Sequence, residues 1–487
     1  MRSMARAAPA VVVLALSVRA LADVPAAAPP KAPARIWSRG QTTWVYSEPK
    51  RTKNALGYVR LGQSLPLRAE AAVKAAGCSG LYYPVEPYGW VCQDRTASVD
   101  GDARWVRSMA AAAPRDGLMP FDFALSNGAP MYRRLPTRSE AQREESLFGK
   151  AGSYKPQSWG NRGHERLAET RGIGPSSALP WFLAGGGGAG EERPLEALRR
   201  QIPHGSMLAY TSSFDHEGRT YVLSADGTVV PADRVRPFRV SSFRGVELGK
   251  DTALPLAFFR AKPRPKYRRA GERFEPTGAS FAARAWVGLD DATLAVEADG
   301  RRFLATREKS GADTVWVRED DATVLRPRDK LPVGVAPGSK WILHSITQGT
   351  LVAYEDTKAV FVTLASPGAG GVPVKGKDPV KMSTTPLGVY RITFKHRATT
   401  MSPEYGENRK FWIADVPYTQ YFNAPFALHT AYWHEDFGEP MSAGCVNVSP
   451  LDGKWLFDWT SPVVPAGWGG SGPGGRHGAG TYVVIAR

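Results

Sequence analysis

The sequence predicts a mainly β protein of several domains, with small barrel-like domains first and a larger β domain at the C-terminus. Short runs rich in aromatic and β-branched residues recur with turn residues between them, as at 43–46 and 89–92. Asp-Gly pairs at Asp226 and Asp299 lie between such runs, and this dipeptide is a strong hairpin signal. The chain has 487 residues, which exceeds the usual domain length of about 100–200 residues.

The N-terminal residues predict export. Two arginines precede an apolar run at 10–18, and a small-x-small pattern follows at 20–22, so residues 1–22 are expected to be a secretory signal peptide. The Ala/Pro-rich residues 23–35 are expected to be a semi-extended linker. No other run approaches the ~20 apolar residues of a spanning helix. We therefore expect a protein of the periplasm or cell envelope without a membrane span.

Four further regions follow the linker. Residues 36–110 are expected to form a small β-barrel, whose Gly-Tyr-Val and Tyr-Gly-Trp-Val phrases resemble wall-binding bacterial barrels of the Src-homology type. Residues 116–249 predict a mixed α/β region with a capping-box helix and a flexible glycine-rich insert. Residues 250–329 predict a second barrel-like domain, and residues 337–487 a C-terminal domain.

The charge of the chain indicates the kind of partner. A net charge of +17 favours an anionic partner: nucleic acid, a membrane surface or a cell-wall polymer. The arginines are spread along the chain rather than gathered in one helix or arm, and no nucleic-acid-binding motif is present. We therefore expect an anionic cell-wall polymer and no nucleic acid.

Three cysteines occur in the chain. Cys78 and Cys92 are expected to form a disulfide that closes one hairpin, because an oxidising compartment favours such bonds. The alternative is two separate thiols. An odd number of cysteines in an exported chain leaves Cys445 outside any such pair.

The stretch 426–447 carries the candidate chemistry. It contains His429 and His434 followed by Cys445 in a Ser-Ala-Gly-Cys setting. A thiolate is a nucleophile, and a nearby imidazole favours its formation, so a cysteine within reach of a histidine is sufficient for covalent acyl transfer. Two alternatives remain: Cys445 as a small buried hydrophobe, or a zinc site built from the two histidines and the cysteine. The histidines are five residues apart with no acidic residue between them, and we expect no metal.

Several motifs occur in a fixed order over the last 150 residues or so of the sequence. They are the opening segment 340–354, Thr-Pro-Leu-Gly-Val-Tyr-Arg-Ile at 385–392, His429, the run Ser-Ala-Gly-Cys-Val-Asn at 442–447, and the helix-like segment 449–457. Together they resemble the L,D-transpeptidase catalytic domain of bacterial cell-wall enzymes. That family's signature is a histidine, a spacer, and then Ser/Thr-His-Gly-Cys. Cys445 lies sixteen residues after His429, and Ala443 replaces the usual second histidine.

The resemblance implies a β-sandwich fold and a role for each site residue. Cys445 would be the nucleophile, located at the start of a helix whose dipole favours the thiolate, and His429 the base. The oxyanion would be bound by backbone N–H groups around Gly444 and Cys445. The remaining assignments are the Thr430 carbonyl holding His429, Ser442 and Asn447 bracing the loop, and His434, Trp433 and Tyr418 as substrate-binding residues.

The resemblance also implies the substrate. The donor would be a peptidoglycan tetrapeptide stem, with Cys445 attacking the carbonyl of its third residue and expelling the terminal D-Ala. The acceptor would be another stem (a 3-3 crosslink), a protein lysine, a free D-amino acid or water. No cofactor is expected. The alternative is a cell-wall-binding scaffold with a decayed catalytic domain, for which Ala443 is the motivation.

Overall fold

The computed structural model describes residues 34–53, 55–69, 71–145, 164–190, 192–291, 294–403 and 410–487. The predicted signal peptide and most of the predicted linker lie outside the described residues. Within the described part, strands form six sheets and the helices are short, so the predicted mainly β fold class is confirmed. No helix of the described residues has both the length and the apolar character needed to cross a bilayer.

The N-terminal region is built from short strands around a small apolar core. Val45, Val59 and Val91 are buried in that core. Cys78 and Cys92 form a disulfide with a Cα–Cα distance of 5.7 Å. The strands are Arg35–Ser38, Thr43–Tyr46, Gly57–Val59, Ser64–Pro66, Tyr82–Pro84, Trp90–Cys92 and Ala97–Ser98, and the helix Arg104–Ala110 follows them.

The next region contains a seven-stranded sheet. The Asp226-Gly227 pair forms the turn of a hairpin in this sheet, and Thr137 caps a helix with Glu140 in a capping box. The strands are Asp122–Ser126, Pro130–Tyr132, Leu198–Gln201, Met207–His216, Arg219–Ser224, Val229–Pro231 and Val235–Pro237. The helix is Arg138–Glu144, and Trp181–Gly186 is a short 3₁₀ helix.

A third region is formed by a three-stranded and a five-stranded sheet. Its core contains Phe259 stacked on Phe281 with ring centroids 4.2 Å apart. The strands are Leu256–Phe258, Arg264–Ala270, Arg273–Phe281, Trp286–Gly288, Val296–Ala298, Arg301–Ser310, Asp313–Arg318 and Thr323–Leu325.

The C-terminal region has the predicted sandwich arrangement. One face is a six-stranded sheet of Val246–Glu247, Lys340–Ser345, Thr350–Glu355, Lys358–Leu364, Gly388–Arg391 and Tyr482–Ala486. The other face contains Phe394–Met401, Ile413–Asn423, Phe426–Thr430, Val446–Val448 and Gly470–Ser471. Buried side chains of both faces, such as Phe361 and Leu428, share one apolar core. The helices of this region are Pro379–Met382 and Pro450–Trp459, and Trp455 of the second stacks on Phe361 at 4.2 Å.

One short strand joins the N-terminal region to the sandwich. This junction strand, Gly470–Ser471, pairs with Phe394–Met401 on one side and with Gly57–Val59 on the other. The result is one continuous nine-stranded sheet. A buried ion pair between Arg60 and Asp415, with a distance of 2.7 Å, lies across the same boundary.

Candidate active site

The base strand, Phe426–Thr430, runs parallel to the short strand Val446–Val448. Their register sets His429 directly opposite Asn447. Cys445 is the residue immediately before the second strand, so the same pairing brings it to the edge where His429 lies. Parallel pairing of strands so close in sequence requires a crossover connection, and here residues 431–445 form it.

The nucleophile loop, residues 441–445, depends on a glycine next to the cysteine. Gly444 has φ +121°, a conformation that L side chains rarely adopt. A Cβ at this position would lie 2.5 Å from the ring of Phe426 and 3.0 Å from the Thr384 carbonyl oxygen. The loop therefore packs directly on the base strand, and only glycine allows that approach.

Ser442 closes the nucleophile loop on itself. Its hydroxyl donates to the Cys445 carbonyl and accepts from the Gly444 N–H at 3.0 Å. The Gly444 amide, which we predicted in the oxyanion hole, is thus already bonded within the loop. The predicted helix dipole at Cys445 is wrong: the cysteine leads into Val446–Val448, and the helix begins only at Pro450. The residues between are extended because they pair with the base strand.

A second segment braces the loop from the opposite side. Ser366 and Asn447 exchange two backbone hydrogen bonds of 2.8 and 2.9 Å, and Gly368 forms a parallel bridge with Ser442. The Thr385 hydroxyl accepts from the Gly368 N–H at 2.9 Å. The Thr-Pro motif of the sequence therefore supports the cysteine loop through this segment.

Cys445 and His429 line one cavity of about 240 Å³. Cys445 is partly exposed there, whereas His429 is buried. The Cys445 Sγ lies 4.0 Å from the Pro425 carbonyl oxygen. The other lining residues are His164, Val380, Thr400, Met401, Ser402, Ile413, Tyr421, Pro425, Phe426, Trp433, Met441, Ser442, Ala443 and Asn447.

A row of four hydrogen bonds runs behind the cavity wall. His429 Nδ1 is 3.1 Å from the Thr430 carbonyl oxygen, and His429 Nε2 is 3.1 Å from Asn447 Nδ2. Asn447 Oδ1 is 3.2 Å from His434 Nε2, and His434 Nδ1 accepts from the Asp436 N–H at 3.2 Å. Burial lowers the pKa of His434 to about 4, although the Asn447 contact partly opposes this shift. His434 is therefore a neutral imidazole at physiological pH.

Comparison with protein families identifies the domain that carries this site. Residues 339–485 match the YkuD family model, described as the L,D-transpeptidase catalytic domain. The C-terminal region thus matches the L,D-transpeptidase family. The predicted resemblance of this region is confirmed, whereas the barrel resemblance of residues 36–110 stays a prediction. No curated protein matches the chain in sequence.

Solved structures of L,D-transpeptidases are similar to part of the chain. One from Xylanimonas cellulosilytica is 23% identical over 32% of this chain and 64% of its own, with a TM-score of 0.22. One from Stackebrandtia nassauensis is 26% identical over 31% and 57%, with a TM-score of 0.21. One from Enterococcus faecium is 20% identical over 31% and 50%, with a TM-score of 0.22. The chain thus spans between half and two thirds of the length of these proteins.

Not every predicted site residue of the L,D-transpeptidase domain reaches the cavity. Trp433 lines it, but His434 is fully buried behind Asn447 and is not among the described lining residues. Tyr418 lies elsewhere in the fold: its hydroxyl donates to the carbonyls of Gly117 and Leu118 at 3.1 and 2.8 Å. The predicted substrate contacts of His434 and Tyr418 are therefore not found, because both side chains are used in internal packing.

His164 reaches the cavity of the L,D-transpeptidase domain from the region before it. Its ring is 5.9 Å from Trp433 and 5.6 Å from Phe411 by centroids. His164 lies in no recognisable motif and far upstream of the cysteine, so no pattern in the sequence indicates it as a site residue. Only the tertiary fold brings it to the site.

Arginines from the upstream regions hold the crossover between His429 and Cys445. Glu435 receives two bonds of 3.1 and 2.7 Å from Arg239, and Arg284 approaches it at 3.4 Å. Two further ion pairs on the same crossover are Arg166 with Asp436 and Arg260 with Glu439. Partly exposed pairs contribute little individually, but a set of four fixes the position of this segment relative to the upstream regions.

Proposed function

We propose that the protein is an exported, cysteine-dependent L,D-transpeptidase that acts on peptidoglycan tetrapeptide stems. The observation that carries this proposal is that Cys445 and His429 line one cavity inside the domain that matches this family. A thiol and an imidazole in one cavity provide the nucleophile and the base of covalent acyl transfer.

The first half of the reaction forms the acyl-enzyme. His429 Nε2 takes the thiol proton as Cys445 Sγ attacks the carbonyl carbon of the third stem residue. The tetrahedral intermediate collapses with cleavage of the amide bond, and His429 returns the proton to the nitrogen of the departing terminal D-amino acid. The products are a thioester on Cys445 and a free amino acid. The step therefore consumes no external reductant or oxidant.

The second half transfers the acyl group. An acceptor amine attacks the thioester, loses a proton to His429, and releases the Cys445 thiol as the proton passes to sulfur. The acceptor is another stem, which gives a 3-3 crosslink, or a protein lysine, a free D-amino acid or water. In the last case the same site acts as a carboxypeptidase.

The cavity walls suit the part of a stem next to the scissile bond. Apolar side chains of Ile413, Phe426 and Trp433 line one part, and the polar groups of Ser442 and Asn447 line another. A volume of about 240 Å³ is below the roughly 300–1,000 Å³ of sites that enclose a drug-sized ligand. The cavity therefore holds the residues on either side of the cleaved bond, and the rest of the polymer lies outside it.

The net charge of +17 supports an anionic wall polymer as the wider partner. Electrostatic attraction of this kind concentrates the enzyme on the polymer without recognition of a particular sugar. The predicted signal peptide supports placement in the periplasm or cell envelope.

One observation favours a second candidate, a wall-binding scaffold with a decayed catalytic domain. Ala443 is exposed at the cavity, where the family motif has a histidine that could donate to the substrate carbonyl. Alanine removes one side-chain donor but leaves Cys445 and His429 in place. A single hydrogen bond is worth about 0.5–1.5 kcal/mol net, so we expect Ala443→His to change the rate by no more than about tenfold.

Intact-mass analysis of the mature protein tests the proposal. We expect wild type to form a covalent adduct with a carbapenem and a transient thioester with disaccharide-tetrapeptide, and Cys445→Ala to form neither. His429→Ala should slow acylation by at least about 10²-fold, the scale of a general base. The exposed His204 provides the matched control, since His204→Ala should acylate as wild type does. An inert wild type whose turnover is restored by Ala443→His would instead establish the scaffold.

A further inference from the structure

The row of hydrogen bonds behind the cavity ends on backbone groups at both sides. The Asp436 N–H at one end only donates, and the Thr430 carbonyl at the other end only accepts. Between them lie His434, Asn447 and His429, each bonded to the next at 3.1–3.2 Å. Because both ends are fixed, every hydrogen atom along the row has a determined position.

The assignment starts at Asp436. Its N–H donates to His434 Nδ1, so neutral His434 carries its proton on Nε2 and donates to Asn447 Oδ1. The Asn447 oxygen thus faces His434, and its NH₂ group faces His429 Nε2. His429 Nε2 is then an acceptor without a proton. The other end gives the same answer, since the Thr430 carbonyl requires a proton on His429 Nδ1.

We propose that His434 is a positioning residue that, by orienting the Asn447 amide, helps the Thr430 carbonyl to fix His429 in its Nδ1–H form with an unprotonated Nε2. This inference deepens the proposed function and rests on it. A base that acts through Nε2 needs its lone pair there, and the row fixes that tautomer before substrate arrives. The Asn447 N–H that bonds to this lone pair has to leave Nε2 as the thiol proton arrives. His434 thus acts on His429 through the Asn447 amide.

The row also opposes the charged form of His429. A proton on Nε2 would face the N–H of Asn447, and the amide cannot rotate to offer its oxygen without losing the bond from His434. The imidazolium formed during attack therefore gains from passing its proton on to the departing amine. The same contact makes the neutral ring a weaker base toward the thiol, so loss of the row should raise the pH at which His429 is protonated.

The surroundings of His434 are consistent with a neutral imidazole. The titratable groups on the cavity side are Cys445, Tyr421 and His164. On the far side of His434, Asp436 raises and Arg166 lowers its pKa, and both effects are smaller than that of burial. These opposite charges are themselves an ion pair, so neither imposes a proton on the row.

Two variants of His434 separate positioning from packing. His434→Gln keeps an N–H donor toward Asn447 Oδ1, whereas His434→Leu fills the space without one. The rate of carbapenem acylation, followed by intact mass, should fall at low pH along an acid limb, as His429 becomes protonated. The midpoint of this limb should lie about one pH unit higher in His434→Leu than in wild type, the scale of one net hydrogen bond. His434→Gln should retain the wild-type limb. Equal limbs in wild type and His434→Leu, or equal shifts in both variants, would overturn the inference.

A measurement on wild type covers the case in which His434→Leu does not fold. Ring ¹⁵N NMR shifts at pH 7, assigned by their loss in His429→Gln and His434→Gln, should report Nδ1–H for His429 and Nε2–H for His434. The opposite tautomer at either ring refutes the row. This result is independent of the proposed function: an unacylated wild type with these tautomers would refute the function alone, and normal acylation with other tautomers the inference alone.

Discussion

Replacing Gly444 by alanine should damage the cysteine site. The residue has φ +121°, a conformation that costs a non-glycine residue about 1–3 kcal/mol. The new Cβ would also lie 2.5 Å from the Phe426 ring, which is buried on the base strand, and 3.0 Å from the Thr384 carbonyl oxygen. Overpacking of this kind costs about 1–3 kcal/mol more.

The loss of activity should exceed the loss of stability. Relief of the contact moves either the nucleophile loop or the base strand, and a misplacement of about 1 Å between reacting groups costs on the order of 10²-fold in rate. We expect Gly444→Ala to lower the free energy of unfolding by about 2–6 kcal/mol and the acylation rate of Cys445 by about 10²-fold. Urea titration and intact-mass kinetics measure the two quantities.

Gly371 supplies the matched control. It also has a positive φ, +70°, but no heavy atom lies within 4 Å of a Cβ built there. Gly371→Ala should therefore cost only backbone strain, about 1–2 kcal/mol, and leave acylation unchanged. The reasoning fails if both variants lose the same stability, or if Gly444→Ala acylates within twofold of wild type.

Two further predictions concern buried titratable groups. The free energy of unfolding should fall as pH decreases from 6.5 to 4, because burial lowers the pKa of His344 and His434 to about 4 and the unfolded chain binds their protons first. Asp452, whose pKa burial raises to about 6, opposes this in part, and a flat urea-denaturation profile over that range would contradict the prediction. Arg60→Met should cost about 3–5 kcal/mol, since it leaves Asp415 buried without its ion-pair partner. Adding Asp415→Asn to Arg60→Met should recover part of the lost free energy of unfolding. A cost below about 1 kcal/mol for Arg60→Met alone would contradict the prediction, because that is the scale of a solvent-exposed ion pair.

The chemistry of the site was predictable because its residues are close in sequence. His429, Ser442, Gly444 and Cys445 all belong to one stretch, and their roles depend on local spacing and on a turn that only glycine allows. The fold class was predictable for a similar reason, since strand alternation and Asp-Gly turns are local signals. Such local signals do not depend on how distant parts of the chain pack.

The wrong or missing predictions concern residues whose positions are determined by tertiary contacts. An aromatic residue such as Tyr418 has the same local signal whether it lines a cleft or bonds to a distant backbone, and here the carbonyls of Gly117 and Leu118 determine its place. His164 carries no local signal at all. The strand after Cys445 was expected to be a helix because its parallel partner, the base strand, is not apparent from the residues themselves. The row from Asp436 to Thr430 likewise requires the register of two strands.

The junction strand has a consequence for the order in which the protein is made. Gly57–Val59 emerges from the ribosome long before its sheet neighbour, Gly470–Ser471, which lies far downstream in the sequence. Until then the N-terminal strands have an open edge, and such edges are prone to pairing with other chains. The N-terminal strands thus complete their sheet only after Gly470–Ser471 has been made, so truncations that remove this strand should harm the N-terminal region as well as the cysteine site.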